Sequence, residues 1–193
     1  MIKAIIFDYY GVLTTDSYLT WLQRNPAVTA NHAAEIEALS HDQDTGISDD
    51  EFFGRLSQIS GQRETDIRTA FAIHGVAHVG LISYIRHLRR KGLKTAILSN
   101  SDIGLYELIS KHHWNRLFEL ILCSEEAGVT KPHPQIYEMA LRRLGVSPDE
   151  AVFVDDRAYN VDGAEKANIS GIIYTGLTDF RDELVRLGID TPN

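Results

Sequence analysis

Short, nearly continuous apolar runs recur along this chain, with amphipathic stretches between them. The runs cover residues 3–7, 94–98, 120–123, 151–154 and 171–174. None alternates with polar residues. Runs of this kind read as strands of a parallel sheet covered by helices on both faces. The stretch 79–90 places Val79, Ile82, Ile85 and Leu88 at helical spacing, and Gly92 supplies a stop. Further helices are predicted over 102–113, 134–144 and 160–168. The second of these opens on Pro134 and closes at Gly145, the usual asymmetry of a helix. Strand and helix in alternation imply an α/β fold with right-handed crossovers.

Residues 14–78 break the rhythm. Short helices are predicted over 20–24, stopped near Pro26, and over 29–40. Another follows the capping box Ser48-Asp49-Asp50-Glu51, carrying Phe52, Phe53, Leu56 and Ile59 inward, and a last one covers 63–72. This crossover is far longer than a βα unit needs. The expected division is a core of 1–13 with 79–193 and a helical insert of 14–78. An insert that starts just after the first strand is expected to act as a cap over the strand ends.

Composition narrows the partners. The chain has 193 residues and a formal charge of -8. Such a charge disfavours nucleic acid and anionic membranes as partners. A small anionic substrate stays compatible, because a metal ion and one lysine reverse the local field. Cys123 is the only cysteine, so no internal disulfide forms, and a reducing cytoplasm is the expected location. No run reaches the roughly 18 apolar residues of a membrane span. Asp8 interrupts the first apolar run too early for a signal peptide. The sequence leaves the oligomeric state open.

The candidate chemistry lies at strand ends. Asp8 follows the first run, and Asp155-Asp156 follow the fourth. In a parallel sheet these ends share one rim, where open α/β sheets bind ligands. Three clustered carboxylates repel one another unless a cation sits between them. The expected cation is Mg²⁺, which takes oxygen ligands and keeps several waters. Asp8, the backbone carbonyl of Tyr10 and Asp156 are its expected ligands. Asp155 either joins them, directly or through water, or orients Lys131.

Asp8 is also the expected nucleophile, attacking a phosphoryl group to give an aspartyl-phosphate. The Tyr9-Tyr10-Gly11 turn offers backbone amides to phosphate oxygens, and Gly11 permits close approach. Ser99-Asn100 closes the second strand and reads either as a phosphate-binding pair or as a helix cap, a role for which Asp102 competes. Lys131-Pro132 places an ammonium where it holds phosphate and offsets the nucleophile's charge. Trp21, Phe52, Phe53 and Trp114 read as packing groups, with Trp21 near enough to the start of the insert to face a substrate. The sequence contains no G-x-G-x-x-G, no P-loop and no serine elbow.

Four segments, in this order, resemble the haloacid dehalogenase-like hydrolase superfamily. They are Phe7-Asp8-Tyr9-Tyr10-Gly11-Val12-Leu13, Ser99-Asn100, Lys131-Pro132 and the stretch from Val154-Asp155-Asp156 to Asn160 and on to Ala164. The resemblance implies a Rossmann-like three-layer core, a small four-helix cap and the phosphatase-like branch, whose members are mostly Mg²⁺-dependent. It implies attack by Asp8, phosphate binding by Ser99 and Lys131, metal binding by Asp155 and Asp156, and support of that loop by Asn160. Tyr10 departs from the phosphatase pattern, which has an aspartate there to protonate the leaving group and then activate water. A tyrosine, with an ordinary pKa near 10, is a poor base at neutral pH. Asp16 is a candidate substitute.

The Asp-x-Tyr-Gly spelling is similar to the true haloacid dehalogenases, where the carboxylate attacks carbon and expels halide without a metal. Tyr137 is compatible with that pattern, but Asp155-Asp156 stands where those enzymes carry serine and asparagine. The expected activity is Mg²⁺-dependent phosphomonoester hydrolysis of a small soluble substrate. The alternatives are a metal-independent 2-haloacid dehalogenase and a catalytically weak ligand-binding or interaction protein.

Overall fold

The computed structural model describes residues 1–45, 47–71 and 75–189. Along the chain run β1 (Ala4–Phe7), α1 (Ser17–Arg24), α2 (Pro26–Asn31), α3 (Ala33–Thr45), α4 (Asp49–Ser60), α5 (Glu64–Phe71), α6 (Val79–Arg90) and β2 (Lys94–Ser99). Then come α7 (Leu105–Lys111), β3 (Leu120–Cys123), α8 (Ser124–Ala127), α9 (Pro134–Leu144), β4 (Ala151–Asp155), α10 (Ala158–Lys166), β5 (Ser170–Ile173) and α11 (Leu177–Arg186). The chain divides into two compact units, Met1–Leu13 with Ala77–Asn193, and Thr14–Val76.

The first unit is a Rossmann-like α/β core. Among the described residues its sheet is wholly parallel, in the order β3-β2-β1-β4-β5. Alternate residues of a strand face opposite sides, and β1 shows how the apolar runs serve both layers. Ile5 and Phe7 pack with Leu81, Ile85 and Leu88 of α6 and with Phe180 and Leu184 of α11. Ala4 and Ile6 pack with Ile136, Tyr137, Ala140 and Leu144 of α9 and with Ala164 of α10. Every residue of β1 is therefore buried, which is why the run is continuous.

Register fixes the rim. Phe7 pairs with Ile97 of β2 and with Val154 of β4, so Asp8 and Asp155 leave their strands at the same level. The N–H of Asp8 donates to the Val154 carbonyl at 2.8 Å, holding the turn after β1 against β4.

The second unit closes around its own core of Tyr18, Trp21, Ile36, Leu39, Phe52, Leu56 and Ile67. Phe52 meets Phe53 and Phe71 edge-on. The Tyr18 hydroxyl donates to the Ile36 carbonyl at 2.9 Å. Trp21 is buried and lies against Phe71, as expected of a packing group. The Ser48 hydroxyl accepts from the Glu51 N–H, which is one half of the expected capping box, and Gly61 ends α4 at φ +68°.

Several boundaries differ from expectation. Helix α1 stops at Arg24, just before Pro26 as expected, but it starts earlier, at Ser17, and Pro26 then opens α2 at the first-turn position where its missing N–H costs nothing. The expected helix over 29–40 is two helices broken at His32. The helix over 102–113 shrinks to α7, because the Asp102 carboxylate accepts from the Gly104 N–H in a tight turn. Helix α10 begins two residues before Asn160. The 63–72 helix is seen as α5; Ala72 lies outside the described residues. His78 belongs to the core unit, its N–H donating to the Leu13 carbonyl. Helices α8 and α11 were not anticipated, although Leu177, Phe180 and Leu184 carry a helical spacing.

Candidate active site

The rim of the core unit gathers Asp8, Asp155 and Asp156, each with an oxygen within 4.8 Å of the others. Lys131 enters the same cluster. Its ammonium lies 2.8 Å from Asp8 Oδ1 and 2.6 Å from Asp155 Oδ2. The lysine side chain is only 1% exposed, and its ammonium sits over the Phe153 ring at 5.4 Å. One ammonium among three carboxylates leaves an excess of negative charge.

The ionisation equilibria reflect that imbalance. Burial raises the Asp8 carboxyl well above the usual carboxylate range. Lys131 opposes the rise, and Asp155 and Asp156 add to it. Burial alone would lower the Lys131 pKa, but Asp155 and Asp8 outweigh it and hold the ammonium firmly protonated.

Asp155 gathers several donors. Besides Lys131 it accepts from the Arg157 N–H at 2.9 Å, and the Asn160 amide lies 3.2 Å from both of its oxygens. The Asn160 carbonyl in turn accepts from the Tyr137 hydroxyl at 2.7 Å.

Asp156 lies against Gly11. A Cβ added to Gly11 would stand 2.4 Å from Asp156 Oδ2, and Gly11 has φ +81°. The glycine thus serves both the turn and the close approach of the carboxylate. Tyr10 packs against the core next to this turn, its ring edge-on to Tyr9 at a centroid distance of 4.9 Å.

Ser99 is fully buried at the end of β2, and its hydroxyl has no hydrogen-bond partner among the described residues. A buried hydroxyl of this kind suits a ligand oxygen. Asn100 does something sequence reasoning missed. Its amide donates to the Lys131 carbonyl at 3.0 Å, and its Oδ1 accepts from the Lys131 N–H at 2.8 Å. Asp16, the candidate substitute acid, lies in the second unit. It is the N-cap of α1, accepting from the N–H groups of Tyr18 and Leu19. Trp114 is buried, with His112 stacked on it at 4.3 Å.

The donor set is all hard oxygen, carries excess negative charge and is partly buried. These properties fit a small divalent cation such as Mg²⁺ better than a soft metal.

A parallel-sheet core with a buried carboxylate, a lysine and two further acids at its rim defines a hydrolase of the Rossmann-like α/β class. The chain belongs to the haloacid dehalogenase-like hydrolase family, whose model matches residues 2–168. It is 29% identical over 198 residues to the glyceraldehyde 3-phosphate phosphatase of Methanopyrus kandleri, covering 88% of this chain and 82% of the relative. Among solved structures it is similar to a HAD family hydrolase from Deinococcus radiodurans with bound phosphate and sodium. That match has a TM-score of 0.70 and 24% identity, over 100% of this chain and 99% of the other. A HAD family enzyme from Bacteroides thetaiotaomicron, in complex with magnesium and inorganic phosphate, matches with TM-score 0.58 and 21% identity over 89% and 93%. The L-2-haloacid dehalogenase of Xanthobacter autotrophicus matches with TM-score 0.62 and 22% identity over 98% and 85%. Among the described residues no helix is long and apolar enough to cross a membrane.

Proposed function

We propose that this hydrolase is a Mg²⁺-dependent phosphomonoester phosphatase acting on a small anionic substrate through an aspartyl-phosphate on Asp8. The observation that carries the reading is the Lys131 ammonium held between Asp8 and Asp155, with Asp156 completing a cluster of carboxylates. Relatives named as phosphatases, and the magnesium and phosphate bound by one structural neighbour, support it.

Asp8 Oδ attacks phosphorus as the bond to the leaving oxygen breaks. Lys131 lowers the cost of bringing an anion to a carboxylate. The Ser99 hydroxyl and the backbone amides of the turn after Asp8 hold phosphoryl oxygens. Asp8, the Tyr10 carbonyl and Asp156 would hold Mg²⁺, which when bound supplies charge neutralisation. Water then attacks phosphorus and frees the Asp8 carboxylate. Tyr10 offers no ready base for that second step.

A second reading, carbon–halogen cleavage by Asp8, is favoured by the Asp-x-Tyr-Gly turn and by the dehalogenase-like neighbour. The carboxylates at 155 and 156 weigh against it, since they repel a haloacid's own carboxylate. Phosphate release from an aryl phosphate, abolished by EDTA and by Asp8→Asn, is the expected result. Halide release from a 2-haloacid in EDTA, with no phosphate release, would replace the phosphatase reading with the second.

A further inference from the structure

We propose that Asn100 is a positioning residue for Lys131, fastening the lysine backbone so that its ammonium arrives between Asp8 and Asp155. The inference rests on the reading of Asp8 and Lys131 as the phosphoryl-transfer pair.

Both ends of the Asn100 carboxamide are engaged by one residue. The amide donates to the Lys131 carbonyl, and the oxygen accepts from the Lys131 N–H. This matches a peptide's donor and acceptor as a neighbouring strand would, and only one orientation of the amide satisfies both contacts. Asn100 directly follows β2, which pairs with β1 on one side and β3 on the other. Lys131 sits in the loop after β3 and α8, so its side chain must pass the end of β2 to reach carboxylates on β1 and β4. A lysine stem carries about 2 kcal/mol of rotamer entropy. Fastening its root at β2 limits where the ammonium can go. Displacement is costly here because Asp8 and Asp155 are both buried.

Two measurements on the full chain test this, with Asn100→Leu as a near-isosteric variant. The first is amide hydrogen exchange, which needs no substrate. The Lys131 N–H is expected to exchange at least about tenfold faster in the variant, with strands β1 and β4 unchanged. Equal protection of Lys131 in both proteins would overturn the proposal. The second is a double-mutant cycle on aryl phosphate hydrolysis in Mg²⁺. Asn100→Leu is expected to lower kcat/KM by about 10- to 100-fold, mainly through kcat, and to cost nothing further in a Lys131→Met background. Losses that multiply would show that Asn100 meets the substrate itself and would overturn the proposal. If the wild type releases no phosphate, the phosphatase reading has failed, and hydrogen exchange alone decides the clamp. It does so equally if Lys131→Met does not fold.

Discussion

Replacing Lys131 with methionine tests the electrostatic heart of the site without assuming any substrate. The side chain is buried, and it pairs with Asp8 at 2.8 Å and with Asp155 at 2.6 Å. Methionine keeps most of the volume but removes the charge and, with it, the ammonium's contact with the Phe153 ring. Two buried carboxylates then face each other, with Asp156 close by. Breaking a buried ion pair by deleting one partner costs about 3–5 kcal/mol. For a chain of this length that corresponds to a fall in Tm of about 6–20 °C. Acid should relieve much of the loss. Asp8 is already biased toward its protonated form by burial, and without Lys131 nothing opposes that bias. A protonated Asp8 removes the repulsion and donates a hydrogen bond. Thermal melts in EDTA at pH 7.5 and at pH 5 check both parts, with wild type alongside. The expected outcome is a large deficit at the higher pH that shrinks at the lower one. A variant as stable as wild type at pH 7.5, or a deficit that grows on acidification, would refute the reasoning.

Three further outcomes follow from the same geometry. The Asp8 pKa is raised in the folded state, so between its unfolded and folded values the folded protein holds the extra proton and stability falls as pH rises. Mg²⁺ competes with that proton, so its increment in Tm should be small near pH 5 and larger near pH 8; a flat profile by differential scanning fluorimetry contradicts this. Gly11→Ala puts a methyl group 2.4 Å from Asp156 Oδ2 at φ +81° and should weaken Mg²⁺ binding at least about tenfold by calorimetry, beyond the about 1–2 kcal/mol of backbone strain. Gly128→Ala, with φ +68° and nothing within 4 Å of its Cβ, should show strain alone and unchanged Mg²⁺ affinity. Tyr10→Asp should speed alkyl phosphate hydrolysis by about 10²-fold or more while changing aryl phosphates less, because only the poor leaving group needs the proton; equal gains on both, read from kcat, would count against a leaving-group role for position 10.

The groups that carry charge were legible in the sequence, and so were Asn160 and the option that Asp155 orients Lys131; the other groups that aim them were not. Asp8, Asp155 and Asp156 could be read because each stands just beyond an apolar run, and parallel strands bring such ends to one level whatever the loops do. Lys131 was legible by its place before Pro132. Asn100 could not be assigned between cap and ligand, because its partner is 31 residues away and the contact is made to backbone, which no side-chain pattern reveals. Tyr137 suffers the same way, since its hydroxyl donates to the Asn160 carbonyl, again a contact to backbone. Gly163 left even less trace. Within a helix a glycine reads only as a loss of propensity, yet a Cβ there would stand 2.6 Å from the Pro132 carbonyl and 2.9 Å from the Tyr137 hydroxyl. Its missing side chain lets α10 approach the loop that carries Lys131. The same helix holds Asn160 against Asp155, so one close approach sets the separation of the ammonium from the acid that orients it. A strand end can supply a carboxylate by itself, but tuning that carboxylate requires three loops to converge, and their convergence depends on backbone contacts that the alternation of polar and apolar residues does not encode.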